Sequence, residues 1–150
     1  MKLKNEVVID AQGEAVWSAF EDADTRPEWQ SGLTARRQIS GKPNDIGSVV
    51  ELTFDEGGSS RSVIETITER RRPNFLAATY ESRHRTLLTV NTFESIGGEQ
   101  TRWSVWSNVR FRGIASITSL FTAKRVRQQL EDDMQRFKLL VETREASTPS

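Results

Sequence analysis

The sequence predicts an α+β fold, a curved seven-stranded antiparallel sheet wrapped around one long C-terminal helix, with two short helices between strands 1 and 2. Three observations carry this. Short runs of period-2 alternation recur about every dozen residues from Leu33 to Phe111, separated by turn-formers such as Gly41-Lys42-Pro43-Asn44-Asp45 and Ile96-Gly97-Gly98-Glu99. After Gly113 the apolar spacing changes to steps of 3 and 4. The length, 150 residues, suits a single domain (core about 2–143, polar tail 146–150) whose core needs no staples.

The elements follow in order. Lys2–Ile9 alternates, with Leu3, Val7 and Ile9 on one side and Lys4 and Glu6 on the other, as a half-buried strand does. Asp10 is positioned to cap a helix of about ten residues carrying Val16, Trp17 and Phe20 on one stripe. Pro27 suits the first turn of a second short helix, Pro27-Glu28-Trp29-Gln30, ending near Gly32. Strands are then expected at Leu33–Ser40 and at residues 46–54, 61–69, 76–81, 86–94 and 100–111. The final helix is expected to start near Ser116 or Ser119 and to end near Thr143, about 37 Å in all. Its stripe is Leu120, Ala123, Val126, Leu130, Met134, Phe137 and Val141. Arg125, Gln129, Asp132, Arg136 and Lys138 face outward, with Asp132 and Arg136 at i, i+4.

Composition narrows the chemistry. Lys plus Arg is 21 and Asp plus Glu is 21, so no net field draws nucleic acid, and Arg70-Arg71-Arg72 with Arg61, Arg83 and Arg85, interspersed with Glu65, Glu69 and Glu81, read as a solvated surface. With no Cys, thiol nucleophiles, iron–sulfur clusters and thiolate zinc sites are excluded. The single histidine, His84, excludes a His-paired metal site and sits at a hairpin tip where solvation is the simpler reading. Gly57-Gly58 and Gly97-Gly98 lack the strand–loop–helix context of a phosphate loop. No cofactor is expected. Mean hydropathy is −0.57, no apolar run is long enough to span a membrane, and Met1-Lys2-Leu3-Lys4 begins no apolar leader; the expected location is cytoplasmic.

A curled sheet of this width cannot be filled by one helix about 10 Å across, so a cavity between sheet and helix is expected. Parity assigns its walls. Val50, Leu52 and Phe54 face inward from one strand, and Val63, Glu65 and Ile67 from the next. Leu76, Ala78 and Tyr80, then Asn91 and Phe93, then Trp103, Val105 and Val109 continue the set. Val126, Leu130, Met134 and Phe137 close it from the helix. Apolar, aromatic walls with a few polar groups are the make-up of a small-molecule pocket.

Several segments carry a family resemblance. They are Val8-Ile9-Asp10-Ala11 leading into Glu14-Ala15-Val16-Trp17, then Asp22 through Pro27-Glu28-Trp29, and Ile46-Gly47-Ser48. Ile67-Thr68-Glu69 ahead of Arg72-Pro73, Phe93-Glu94 and Thr101-Arg102-Trp103 follow. In order and spacing, from about Lys2 to Val141, the chain resembles the START-like superfamily and, within it, the polyketide cyclase/dehydrase-type (SRPBCC) proteins. The resemblance implies the helix-grip fold and a function among hydrophobic-ligand carriers, cyclases and chaperone-regulating modules.

Three readings follow for the residues. The first is a carrier or sensor of a small hydrophobic molecule, lipid-like or aromatic, bearing one or two polar groups. Its contacts would be Val50, Leu52, Phe54, Glu65, Ile67, Tyr80 and Asn91, with Phe93, Trp103, Val105, Leu130, Met134 and Phe137. The second is a cofactor-free cyclase or dehydratase in which Glu65, its pKa raised in an apolar wall, moves protons with Tyr80 or Asn91. The bland reading of Glu65 is a turn to solvent, or a buried pair with an arginine such as Arg37. The third is a protein-interaction module using an outward Trp106 or the long helix, as a monomer or homodimer. Trp17 and Phe20 read as core, and Trp29 as core or a cavity entrance.

Overall fold

The computed structural model describes residues 1–113 and 119–147, with side chains for 1–113 and 123–147. The expected helix start at Ser116, the Leu120 side chain and tail residues 148–150 lie outside the described residues. The chain runs β1 (Lys2–Ile9), α1 (Gly13–Glu21), α2 (Arg26–Trp29), β2 (Leu33–Ser40), β3 (Val49–Glu56) and β4 (Ser59–Arg71). It continues with β5 (Phe75–Glu81), β6 (Arg85–Ile96), β7 (Gln100–Phe111) and α3 (Ser119–Ser147). Seven strands form one antiparallel sheet in the order β1-β7-β6-β5-β4-β3-β2. The meander gives every neighbour pair except β1–β7 a hairpin connection, and β1 closes the series beside the last strand.

Alternation survives intact where it is strongest. β1 buries every second residue, and β3 buries Val50, Leu52 and Phe54. Glu65 sits opposite both Val50 and Tyr80, so the inward rows of β3, β4 and β5 are in register across the sheet. A register shift between Ile67 and Glu69 then bends β4.

Several boundaries move. Ile46 is 58% exposed and precedes the strand, because the Gly47 amide hydrogen-bonds to the Ile67 carbonyl in a loop rather than joining the β2–β3 ladder. β4 and β6 each extend beyond the expected ends, because the hairpin ladders continue through polar residues that alternation does not mark. α3 continues to Ser147, so Ala146 and Ser147 belong to the helix rather than to a tail. Asp10 does not cap α1. Gln12 holds the cap position without a side-chain bond, while the Asp10 amide donates to Glu142 Oε2 of α3 at 2.8 Å.

α3 packs chiefly along β1, α1 and α2. Met134, Phe137 and Val141 are buried under it and join Val16, Trp17, Trp29, Phe93 and Trp103 in the main core. Polar ties fix its position: Lys138 donates to the Val8 carbonyl at 2.7 Å, and Asp133 accepts the Ser31 amide at 3.1 Å. The expected Asp132–Arg136 pair is replaced by Asp133–Arg136 at 2.6 Å, and Arg136 Nε donates to the Trp29 carbonyl at 3.2 Å. Gly32 ends the α2 connection at φ +81°, and a Cβ there would meet the Asp55 carbonyl oxygen at 2.8 Å.

Asp133 is 6% exposed and holds the α2–β2 connection to α3, so Asp133→Ala is expected to destabilise the fold by about 2 kcal/mol in urea unfolding. A loss under about 0.5 kcal/mol would show that Asp133 is not an anchor.

Candidate functional site

Because α3 follows β1 and the short helices, the inner face of β4 to β7 is only partly covered. A cavity of about 170 Å³ remains there. Val63, Glu65 and Ile67 of β4, Leu76 and Tyr80 of β5, and Trp103 and Val105 of β7 line it from the sheet. Arg26 and Trp29 of α2 and Leu130 of α3 close it from the other side.

Glu65 faces inward, and its partner is Arg26 rather than Arg37. The Arg26 guanidinium straddles the carboxylate with contacts of 2.5 and 3.2 Å, and the two side chains are only 14% and 8% exposed. Arg37 instead pairs with Glu51 at the surface. Burial by itself pushes the Glu65 carboxyl up. The Arg26 charge and hydrogen bonds, with help from Tyr80 and the Arg36 charge, outweigh that and hold it below the usual carboxylate range. Arg26 is the mirror case: burial pulls it down, and Glu65, then Tyr80, more than restore it. The Tyr80 hydroxyl is pushed up, first by burial and then by the Glu65 charge, so it keeps its proton beside the carboxylate. The expected raised pKa of Glu65 is therefore corrected. It is an ionised acceptor already occupied by two donors.

Asn91 is equally committed. Its Oδ1 accepts Trp103 Nε1 at 3.0 Å, and its Nδ2 reaches the Leu76 carbonyl at 3.4 Å, so it fixes the Trp103 ring rather than offering a free amide. Trp29 differs. Its Nε1 is buried and has no hydrogen-bond partner among the described residues, yet its ring lines the cavity. Trp29 stands edge-on to Trp103 at 5.9 Å and to Phe137 at 5.0 Å, and stacks with Phe20 at 6.0 Å.

The structure separates the residues assigned to the wall by parity into two groups. Phe54, Glu65, Ile67 and Tyr80 line the cavity, as do Asn91, Trp103, Val105 and Leu130. Phe93, Met134 and Phe137 do not; Phe93 stacks on Trp103 at 5.9 Å, Phe137 meets it at 5.0 Å, and both are part of solid core. Val50 and Leu52 are buried beside Phe54 and Val63 in a smaller cluster beneath β2 and β3. Trp17 is fully buried, while Phe20 belongs to both core and cavity wall. Trp106 is 51% exposed with the Lys4 ammonium 4.6 Å above its ring.

Sequence reasoning missed the mouth. Arg61, Ser82, Arg85 and Gln129 line both the cavity and a wider outer recess that also takes in His84 and Arg125. Arg61 shares the parity of Val63, Glu65 and Ile67, and Arg85 that of Leu87, Thr89, Asn91 and Phe93, so extending each row outward would have found both. Arg26 carried no such signal, being on a helix of four residues. Among the described residues no group of three or more His, Asp or Glu is placed to hold a metal, and no helix is long and apolar enough to cross a membrane.

The family described as polyketide cyclase / dehydrase and lipid transport matches residues 1–142. No curated protein matches. Among solved structures, the Zhui aromatase/cyclase from Streptomyces sp. R1128 superposes with a TM-score of 0.81 at 13% identity, covering 96% of this chain and 94% of that one. A protein from Thermus thermophilus gives 0.80 at 14% identity, covering 99% and 100%. A START superfamily protein from Mycobacterium smegmatis gives 0.68 at 15% identity, covering 93% and 98%. At these identities the likeness is one of fold, and it identifies the curved sheet and long helix as the helix-grip arrangement.

Removing one member of the buried pair leaves the other charge stranded. Glu65→Gln is expected to cost about 3 kcal/mol, and the double variant Arg26→Met/Glu65→Leu less than the sum of its singles. Glu65 titrates below its unfolded value, so its contribution is complete above about pH 4.5 and fades as pH falls through the folded pKa. Wild type should therefore lose more stability than Glu65→Gln between neutral pH and about pH 3, measured by denaturant unfolding at each pH. Parallel pH profiles would contradict the ion-pair assignment.

Proposed function

The chain belongs to the polyketide cyclase / dehydrase and lipid transport family, and from that premise we propose that it binds a small, mainly apolar molecule with one or two polar groups, as a carrier or sensor. The observation that supports this most is the cavity itself, about 170 Å³ of space walled by Phe20, Trp29, Trp103 and Val105. An apolar cavity of about 150 Å³ is known to take up benzene, so this one has room for a single ring. Trp29, Trp103 and Phe20 supply flat apolar walls for that ring. Larger ligands would extend past Gln129 toward the outer recess.

A cofactor-free cyclase, the activity named for one structural neighbour, draws less support. Proton transfer needs a group free to gain or lose a proton, and Glu65 is held ionised by Arg26 while Asn91 is held by Trp103. An interaction role through Trp106 has an exposed ring with Val90 opposite and the exposed Leu88 diagonal to it on the outer sheet face, but nothing there identifies a partner.

Trp29 and Trp103 both line the cavity, so ligand entry should alter tryptophan emission. Titration with benzyl alcohol is expected to give a saturable change, weakened about tenfold or more by Val105→Phe, which fills the space. An unsaturable response, the same in both proteins, would overturn the reading. Native mass spectrometry of protein taken directly from cells is expected to show a small molecule travelling with it.

A further inference from the structure

The cavity mouth holds a positive charge that no acidic side chain matches among the described residues. Of the charged residues lining the cavity, Glu65 is matched by Arg26, and Glu21 by Arg70 through bonds of 2.7 and 2.8 Å. At its outer end Arg61 is matched by Glu56 at 2.9 Å and lies over the Phe54 ring. Arg85 is half-buried, lines both cavity and recess, and has no ion pair or side-chain hydrogen bond from its guanidinium among the described residues. Burial first, and the Arg61 charge second, pull it down to about 10 with only Glu56 opposing, so it stays charged but poorly solvated.

The backbone holds Arg85 where it is. Its carbonyl accepts the Ser82 amide at 3.0 Å and the Ser82 hydroxyl at 3.3 Å, closing the hairpin between β5 and β6. Arg112 of the chain after β7 clamps the same turn, its amide donating to the His84 carbonyl at 2.8 Å and its guanidinium to the Ser82 carbonyl. A fixed turn presenting a desolvated, unneutralised guanidinium over an apolar cavity is preorganised for an oxyanion, which Arg binds through two parallel N–H donors.

Building on the ligand-binding reading above, we propose that the ligand is a monoanionic amphiphile whose apolar body occupies the cavity and whose carboxylate pairs with Arg85 at the mouth. The buried excess at the mouth is one positive charge, since Glu56 already neutralises Arg61. A single negative charge balances it, whereas a dianionic phosphate monoester would carry one charge too many into a half-buried site. The remaining recess cations, Arg83 and Arg125, are exposed and act as a screened field that draws the anion in.

Hydrocinnamate, its neutral amide hydrocinnamamide, and phenethyl phosphate share a one-ring body and separate the possibilities. By calorimetric titration, hydrocinnamate is expected to bind about tenfold or more tightly than the amide at low salt, and more tightly than the phosphate. Arg85→Gln is expected to bring the acid-to-amide ratio to about one, and Arg85→Lys to restore part of it. Arg83→Gln, on the recess but outside the cavity wall, should keep most of it. Thermal unfolding of Arg85→Gln should be no lower than wild type, because the substitution removes a charge with no partner, and this shows that any lost preference is not lost folding. Acid and amide binding equally to wild type would overturn the carboxylate site while leaving the ligand-binding cavity in place. A preference unchanged in Arg85→Gln, or phosphate binding tighter than carboxylate, would also overturn it. If none of these probes nor benzyl alcohol binds, the cavity reading and this proposal fall together.

Discussion

Arg26 and Glu65 lie 39 residues apart in sequence, one on a four-residue helix and the other in the middle of a long strand, and they meet beneath the surface. The interior of the molecule is arranged around that contact. A helix of four residues has no stability of its own, since nucleation costs more than its few hydrogen bonds return. What holds α2 in place is the guanidinium on Glu65, the Trp29 ring wedged against Trp103 and Phe137, and the Trp29 carbonyl accepting from Arg136. The ion pair also acts as a spacer. Two desolvated charges with the Tyr80 hydroxyl beside them cannot be compressed into an apolar contact, so α2 cannot collapse onto β4 and the space beside it persists.

The second constraint is aromatic. Phe20, Trp29, Phe93, Trp103 and Phe137 form a continuous cluster with centroid separations of 5.0 to 6.1 Å, mostly edge-to-face. Rings in such contact leave no room for a ligand, and they close off the half of the sheet nearest β1. Protein interiors normally fill to the density of organic crystals. Here α3 follows β1 and the short helices, so its bulky residues are spent on that half. The wall formed by β4, β5 and β6 is left facing space. Cavity and core are thus two consequences of one helix being laid off-centre on a curved sheet.

Much of this was legible in the sequence because strand parity is a strict rule. Glu65 had to face inward once Val63 and Ile67 did, and the whole β3–β4–β5 register follows from rows of that kind. Parity cannot say whether an inward side chain meets another side chain or empty space, which is why Phe93, Met134 and Phe137 read as cavity wall and are core. Nor can it name a partner across the fold. Arg37, adjacent to Glu51 on neighbouring strands, was the visible arginine, whereas Arg26 reaches Glu65 only because α2 crosses over the sheet. Charged residues at strand ends were read as turn and surface, although Arg61 and Arg85 stand on the inward rows of β4 and β6. The alternation was present in the sequence, and the hydrophobic signal that normally reveals it was not.

Along the cavity the polarity therefore runs from a neutralised pair, through aromatic walls, to an unneutralised arginine. That order bears on selectivity more than on affinity. A neutral apolar molecule could fill the aromatic section, but it would displace solvent from Arg85 without replacing it and so deepen the desolvation of a fixed charge. An anion at the mouth reverses that penalty. It gains little from the inner end, where Glu65 already has its donors and would repel a second carboxylate. Orientation follows from the same asymmetry: the charged end of a ligand is excluded from the interior by Glu65 and accepted at the mouth by Arg85, which leaves the aromatic section for its neutral end.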